Sequence, residues 1–295
     1  MTFATNAEVS IYYETFGDAS RPALLMVNGL GSQCINFDVE FCQMFVDRGF
    51  FVIRFDNRDV GLSTKFDAFT PHFMDVVTAL KEGRTPIVAY KLSDMANDAV
   101  AVLDALGIER AHVMGTSLGG MIVQQLAIDH ETRLLSMTSV MSTTGDTDVG
   151  HPSPEVAALF YGPRSLDRET VISNRVEHDR RCASPAVFDA ERVARRTASA
   201  FDRSFSPLGV ARQLCAVTAS GSRTAALRNV RVPTLVLHGD HDRLIDISGG
   251  VRTARCIPGA KFVAIEGMGH DVPPAFWERL VDLISEHALE ASRRN

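Results

Sequence analysis

Ser117 sits in the pentapeptide Gly115-Thr116-Ser117-Leu118-Gly119, which follows an apolar run and opens a helical pattern. Glycines on both sides of a serine allow a sharp strand–turn–helix bend that lifts the hydroxyl clear of a sheet, the geometry of a nucleophile elbow. A serine hydroxyl is not nucleophilic at neutral pH; it requires a base, and the base requires a group that orients it. Among nine histidines, His270 is the candidate base. It closes the loop Gly267-Met268-Gly269-His270, directly after a strand pattern and just ahead of Pro273-Pro274 and the last helix. Strand ends of a doubly wound sheet converge at such a loop. Duller explanations serve most of the others: His112 lies inside a strand, His130 at a helix end, and His72, His151, His178 and His287 in polar surroundings.

An acid is expected between Ser117 and His270, because triads built on this elbow run serine, acid, histidine along the chain. The string His238-Gly239-Asp240-His241-Asp242 follows a strand pattern. Asp242 is best placed on that loop to reach the imidazole; Asp240, two residues nearer the strand, is the rival, and Asp246 a third choice. Acyl transfer also needs donors aimed at the developing oxyanion, worth on the order of 3 kcal/mol each. The N–H of Leu118, at the helix N-terminus, is one. The N–H of Leu30, in the loop Asn28-Gly29-Leu30-Gly31-Ser32, is the expected second.

Two other chemistries compete for these residues. Gly29-x-Gly31 begins a dinucleotide fingerprint, with Asp56 as a ribose ligand, but Cys34 occupies the third glycine position. His238, Asp240, His241 and Asp242 offer metal-ligand types, yet four in five residues cannot all face one ion, and no HxxxH helix supports them. Neither a nucleotide cofactor nor a metal is expected.

The elements that must position these groups follow an alternating β/α rhythm, the signature of a parallel sheet. Val9, Ile11 and Tyr13 alternate as one face of an early strand. Largely apolar runs, expected for strands covered on both faces, occupy Ala23 to Val27 and Phe50 to Phe55, with a crossover helix from Phe37 to Arg48. Met95, Ala99, Val102, Leu103 and Leu106 share a helix face, with Ser93 placed to cap and Gly107 to stop it. Further strands are expected at Ala111 to Met114, Leu134 to Met141, Thr234 to Leu237 and Phe262 to Ile265. Helices follow from about Leu118 to His130, before Ile257-Pro258-Gly259, and from about Ala275 to Ala288.

The stretch from Thr147 to Cys215 breaks the rhythm. It carries no convincing strand, 10 Arg, no Lys and 9 acidic residues, and its prolines divide it into four helical segments. It is expected to be a helical cap of residues 147–215, inserted into a core formed by residues 1–146 and 216–295. The arginines of one segment (Arg192, Arg195, Arg196) read as a solvated face paired with Asp189 and Glu191. Val156, Leu159, Phe160 and Tyr161 are candidates for a pocket wall, Phe160 and Tyr161 above all. Such a wall would select the acyl or leaving group.

Composition bounds the rest. The 295 residues are 45% hydrophobic and 22% charged, which suits a globular protein with a full core. The longest apolar run, Val156 to Tyr161, is six residues, against roughly 20 for a membrane span. A net charge of −6 offers no general attraction to nucleic acid. No basic residue precedes Arg21, as a secretory leader would require, and five scattered cysteines suggest buried free thiols. A cytoplasmic protein acting on a small molecule is expected.

Together, Asn28-Gly29-Leu30-Gly31, the segment from Arg54 to Ser63, the Ser117 elbow, Val232-Pro233 through His238-Gly239, and Gly267-Met268-Gly269-His270 make the chain resemble the α/β-hydrolase superfamily over nearly its whole length. Within it, the chain looks most like the aclacinomycin methylesterase group and related carboxylesterases and lipases with a helical lid; Arg223 to Leu227 belongs to that likeness. Asn28 departs from the histidine that many members carry there. The resemblance implies an α/β-hydrolase fold and a cofactor-independent esterase. In it Ser117 attacks, His270 transfers protons, Asp242 orients His270, and water resolves an acyl-enzyme. Epoxide hydrolase and dehalogenase chemistry would use an aspartate at the elbow, so Ser117 argues against both. Perhydrolysis and C–C bond cleavage use the same triad and stay open, as does a ligand receptor with little turnover.

Overall fold

The computed structural model describes residues 1–159 and 165–293. In chain order its elements are β1 (Thr2–Asn6), β2 (Val9–Phe16), β3 (Ala23–Val27), α1 (Val39–Asp47), β4 (Phe51–Phe55), α2 (Phe73–Lys81), α3 (Leu92–Ala105), β5 (Ala111–Thr116), α4 (Leu118–Asp129) and β6 (Leu134–Val140). Four helices follow, α5 (Pro154–Leu159), α6 (Arg168–Cys182), α7 (Ala190–Arg203) and α8 (Pro207–Ser220). Then come α9 (Thr224–Leu227), β7 (Thr234–Gly239), α10 (Ser248–Cys256), β8 (Lys261–Ile265) and α11 (Pro274–Ser292).

The strands form one eight-stranded sheet in the order β1-β2-β4-β3-β5-β6-β7-β8. The first two strands pair antiparallel, as does β2 with β4, and every later pair is parallel. The apolar runs are explained by what covers the sheet. Leu25, Val27, Ile53, Phe55 and Val113 point to one face, against Met95, Ala99 and Val102 of α3 and Ile122, Val123 and Leu126 of α4. Their neighbours Leu24, Met26, Val52 and Met114 point to the other, against Phe41 and Phe45 of α1 and Leu280, Val281 and Ile284 of α11. With apolar cover on both sides, alternation disappears from the sequence.

Several expectations shift. Residue 93 does not cap α3; Asp94 does so from inside the helix, its carboxylate accepting the N–H of Lys91 at 2.7 Å. The hairpin strand β1 and helix α2 were absent from the sequence reading. β1 buries only Ala4, and α2 buries only Val76 and Ala79 while Phe73 and Met74 face outward, so neither carries a clear period. His287 is not in polar surroundings but buried in α11, its Nε2 at 3.2 Å from the Pro233 carbonyl.

Between β6 and β7 the described residues hold helices and no strand, and residue 215 falls inside α8. Charged pairs fasten α7 and α8 to the loop after β4. Arg203 donates to Asp56 at 2.7 Å and to Gln33 at 2.7 Å, while Gln33 donates to the carbonyls of Ala200 and Ser204. Arg212, fully buried, donates to both carboxylate oxygens of Asp59 at 2.9 and 2.7 Å, and Tyr90 donates to the same group at 2.6 Å. This explains the charged string after β4: each carboxylate there is an anchor point. The Arg192–Arg196 face is not simply solvated. Only Arg195 pairs with Glu191 as expected; Asp189 instead caps α7 through the Arg192 N–H, the Arg192 side chain pairs with Asp38, and Arg196 turns inward.

Candidate active site

The turn from β5 into α4 holds Ser117 at φ 55°, ψ −118°, a left-handed conformation costly for a residue with a Cβ. Its flanking glycines are required by space. A Cβ on Gly115 would lie 2.1 Å from the Gly119 carbonyl oxygen, and one on Gly119 would lie 2.0 Å from that of Val27. Backbone oxygens cannot step aside, so any side chain at either position opens the bend.

His270 Nε2 lies 2.9 Å from Ser117 Oγ, and its Nδ1 lies 2.7 Å from Asp242 Oδ2. A carboxylate can only accept, so Nδ1 carries the proton toward Asp242 and the Nε2 lone pair faces the serine hydroxyl. The loop after β8 is tied down by the His270 N–H, which donates to the Cys182 carbonyl of α6 at 2.7 Å. Asp242 is buried, and its Oδ1 accepts the N–H groups of Leu244 and Ile245, each at 2.9 Å. Burial alone would raise its pKa. The facing imidazoles of His270 and His238, with the hydrogen bonds they donate, outweigh that and hold the carboxyl well below the usual range.

The rivals are placed elsewhere. Asp240 points to the surface, pairing with His241 at 2.7 Å and accepting the Gly267 N–H at 2.8 Å. Asp246 accepts the N–H groups of Ser248 and His151. The metal-type string is thereby split: Asp240 and His241 face outward, while buried His238 sits 2.8 Å from the Ile245 carbonyl and 3.3 Å from Asp242. Asp56, the ribose candidate, is consumed by the Cys34 N–H, the Leu62 N–H and Arg203.

The loop after β3 passes close over the serine: a Cβ on Gly29 would be 3.2 Å from Ser117 Cβ. Gln213 of α8 holds this loop, accepting the Gly31 N–H at 2.9 Å while donating to the Arg58 carbonyl at 2.8 Å. The N–H groups of Leu30 and Leu118 have no hydrogen-bond partner among the described residues. Asn28 donates nothing from its buried Nδ2, while its carbonyl accepts from Asn57 at 3.0 Å.

Above these groups lies a cavity of about 390 Å³ whose walls include Leu30, Ser117, Leu118 and His270. Its far side comes from the helices between β6 and β7: Arg175, His178, Asp179 and Cys182 of α6, Arg196 of α7, and Val210 and Leu214 of α8. The sequence reading missed these. The α6 residues follow a spacing of three, one and three, which is one helical face, and that period was the available signal. Of the wall candidates, Val156 is buried on α5 away from the cavity lining, and Phe160 and Tyr161 lie outside the described residues.

With the sheet order, the elbow and the facing histidine in view, the class is defined: a sequence model described as the alpha/beta hydrolase fold matches residues 22–274, and the chain belongs to that enzyme family. It is 31% identical to rhodomycin D methylesterase DnrP of Streptomyces peucetius, the match covering 98% of both chains. It is 28% identical to the putative carbamate hydrolase RutD of Variovorax paradoxus, over 88% of each. In backbone, the meta-cleavage product hydrolase CumD of Pseudomonas fluorescens IP01 superposes with a TM-score of 0.77 at 19% identity, covering 99% of this chain and 98% of that one. The likeness to methylesterases read from the sequence therefore holds, and so does the α/β-hydrolase fold. Among the described residues, no helix is long and apolar enough to cross a membrane.

Proposed function

We propose that the protein hydrolyses a carboxylic ester of a small molecule through a Ser117–His270–Asp242 triad and an acyl-enzyme. The observation that carries this reading is the unbroken run of contacts, Ser117 Oγ to His270 Nε2 at 2.9 Å and His270 Nδ1 to Asp242 Oδ2 at 2.7 Å, opening into a cavity. The name of the methylesterase relative, matched end to end, supports an ester as the bond broken.

The geometry supports the following sequence of steps. Ser117 Oγ attacks the acyl carbon as His270 Nε2 takes its proton, and Asp242 stabilises the imidazolium without being protonated. In this reading the negative oxygen forms beside the N–H groups of Leu30 and Leu118, whose residues line the cavity with Ser117, with α4 adding its N-terminal dipole. Collapse expels the alcohol, protonated from His270 Nε2. Water then attacks the acyl-serine, delivering its proton to the same nitrogen, and the carboxylic acid leaves. In this reading residues 147–215 form a cap over the core, and its helices choose among esters by the shape of the wall they present.

A fluorophosphonate probe tests the nucleophile. It should label the wild type and fail to label Ser117→Ala; equal labelling of both would refute the assignment.

A further inference from the structure

Of the two arginines on the cavity wall, Arg175 is paired with Asp179 and Arg196 has no ion-pair partner among the described residues. It lies at the junction of three adjoining cavities, the one above Ser117 and neighbours of about 170 and 220 Å³. Among the described residues its guanidinium makes no hydrogen bond or ion pair, whereas the other arginines of α7 are engaged: Arg192 with Asp38, Arg195 with Glu191 and Arg203 with Asp56. A half-buried guanidinium that faces a cavity without a protein partner is placed to pair with an anionic group on a bound molecule.

The other charged groups on the cavity are accounted for. Asp179 is taken by Arg175 at 2.8 Å and by His178 at 3.1 Å. Asp271 accepts both the N–H and the hydroxyl of Ser184, at 2.9 and 2.6 Å, and burial raises its pKa. Arg175 and Arg196 therefore share a cavity wall with two carboxylates, Asp179, committed to Arg175, and Asp271, held by Ser184, and neither forms an ion pair with Arg196 among the described residues. Burial, then the neighbouring charge of Arg175, lowers the pKa of Arg196 below the ordinary arginine value.

Building on the esterase reading, we infer that Arg196, with the free edge of Arg175, binds a carboxylate carried by the substrate at a position separate from the ester cleaved at Ser117. The substrate class is then a half-ester, or another ester bearing a free carboxylate, rather than a neutral one. A carboxylate suits the site better than a phosphate. Its two oxygens match a guanidinium fork, and a single negative charge meets less repulsion from nearby Asp179 than a double one.

The test compares mono-p-nitrophenyl esters of succinic, glutaric and adipic acids with the neutral esters of butyric, valeric and hexanoic acids. A charged hydrogen bond of the usual strength translates to a factor of about 10 to 150. At least one half-ester should lose kcat/KM by that factor in Arg196→Gln, with the neutral esters changing less than about threefold. Arg196→Lys should fall between, and Arg195→Gln on the exposed face should match the wild type. Equal losses on both series, or none, overturn the inference. Calorimetry with the free dicarboxylates separates it from the esterase reading. Ser117→Ala should bind a dicarboxylate as the wild type does, and Arg196→Gln should bind it at least tenfold more weakly. Such binding in a protein with no ester hydrolysis would refute the esterase reading alone. Hydrolysis with no Arg196-dependent binding would refute the carboxylate site alone.

Discussion

Replacing Asp242 by asparagine changes one atom's chemistry while keeping the side chain's shape, and the surroundings dictate how the amide must sit. Oδ1 accepts two backbone N–H groups, from Leu244 and Ile245, so the amide oxygen has to remain there. The NH2 group is then forced into the Oδ2 position, 2.7 Å from His270 Nδ1. Two donors cannot face each other, so His270 must move its proton to Nε2, where it points at Ser117 Oγ. The base is lost through the wrong tautomer, a change that lowers turnover by about 10⁴, or about 5.4 kcal/mol of barrier. Asp240→Asn, by contrast, touches an exposed pair with His241, where such contacts are worth about 1 kcal/mol at most and lie outside the proton path. Steady-state hydrolysis of p-nitrophenyl acetate should show a loss of several decades for Asp242→Asn and less than about threefold for Asp240→Asn. Assays belong below the variant's melting temperature, because the substitution also weakens charge-assisted hydrogen bonds of about 1.5–3 kcal/mol each. A folded Asp242→Asn protein retaining more than a tenth of wild-type activity would refute the tautomer argument, and the reverse ranking would move the acid to Asp240.

Three further outcomes follow from the packing. Burial lowers the pKa of His112 to about 4 from an ordinary 6.5, so the unfolded chain takes up a proton first as pH falls. Stability should then decline by about 3 kcal/mol between pH 6.5 and 4, and urea melts of His112→Gln should show a shallower decline than wild type; identical slopes would contradict this. Arg212→Met leaves the Asp59 carboxylate buried without a counter-charge, with the Tyr90 hydroxyl and the Phe66 N–H as its remaining donors, which should cost about 3–5 kcal/mol in urea unfolding; a loss under 1 kcal/mol would show the pair to be unimportant. Gln213→Ala frees the loop that carries Leu30 and should lower kcat by about 10- to 100-fold with a smaller effect on KM, since loosened donors weaken the transition state; a pure KM effect would place Gln213 in substrate binding instead.

The local chemistry of this protein was legible without coordinates wherever it is written in neighbouring residues. The elbow is such a case, because a left-handed serine between close-packed backbones demands glycines within two residues. The parallel strands are another: cover on both faces leaves an uninterrupted apolar run at Ala23 to Val27 and one broken only by Arg54 at Phe51 to Phe55. His270 was singled out by its glycine loop, and Asp242 over Asp240 by its place two residues further along the turn. What sequence could not decide was anything set by the meeting of distant segments. The roles of Arg196, exposed by composition but turned into a cavity, and of Gln213, which bridges a helix to the loop after β3, depend on contacts between distant residues, 182 apart for Gln213 and Gly31. Such contacts leave no local period, because burial of a polar side chain is determined by the partner it finds across the fold rather than by its neighbours in the chain. The tertiary structure alone assigns those partners, and with them the shape and charge of the space above Ser117.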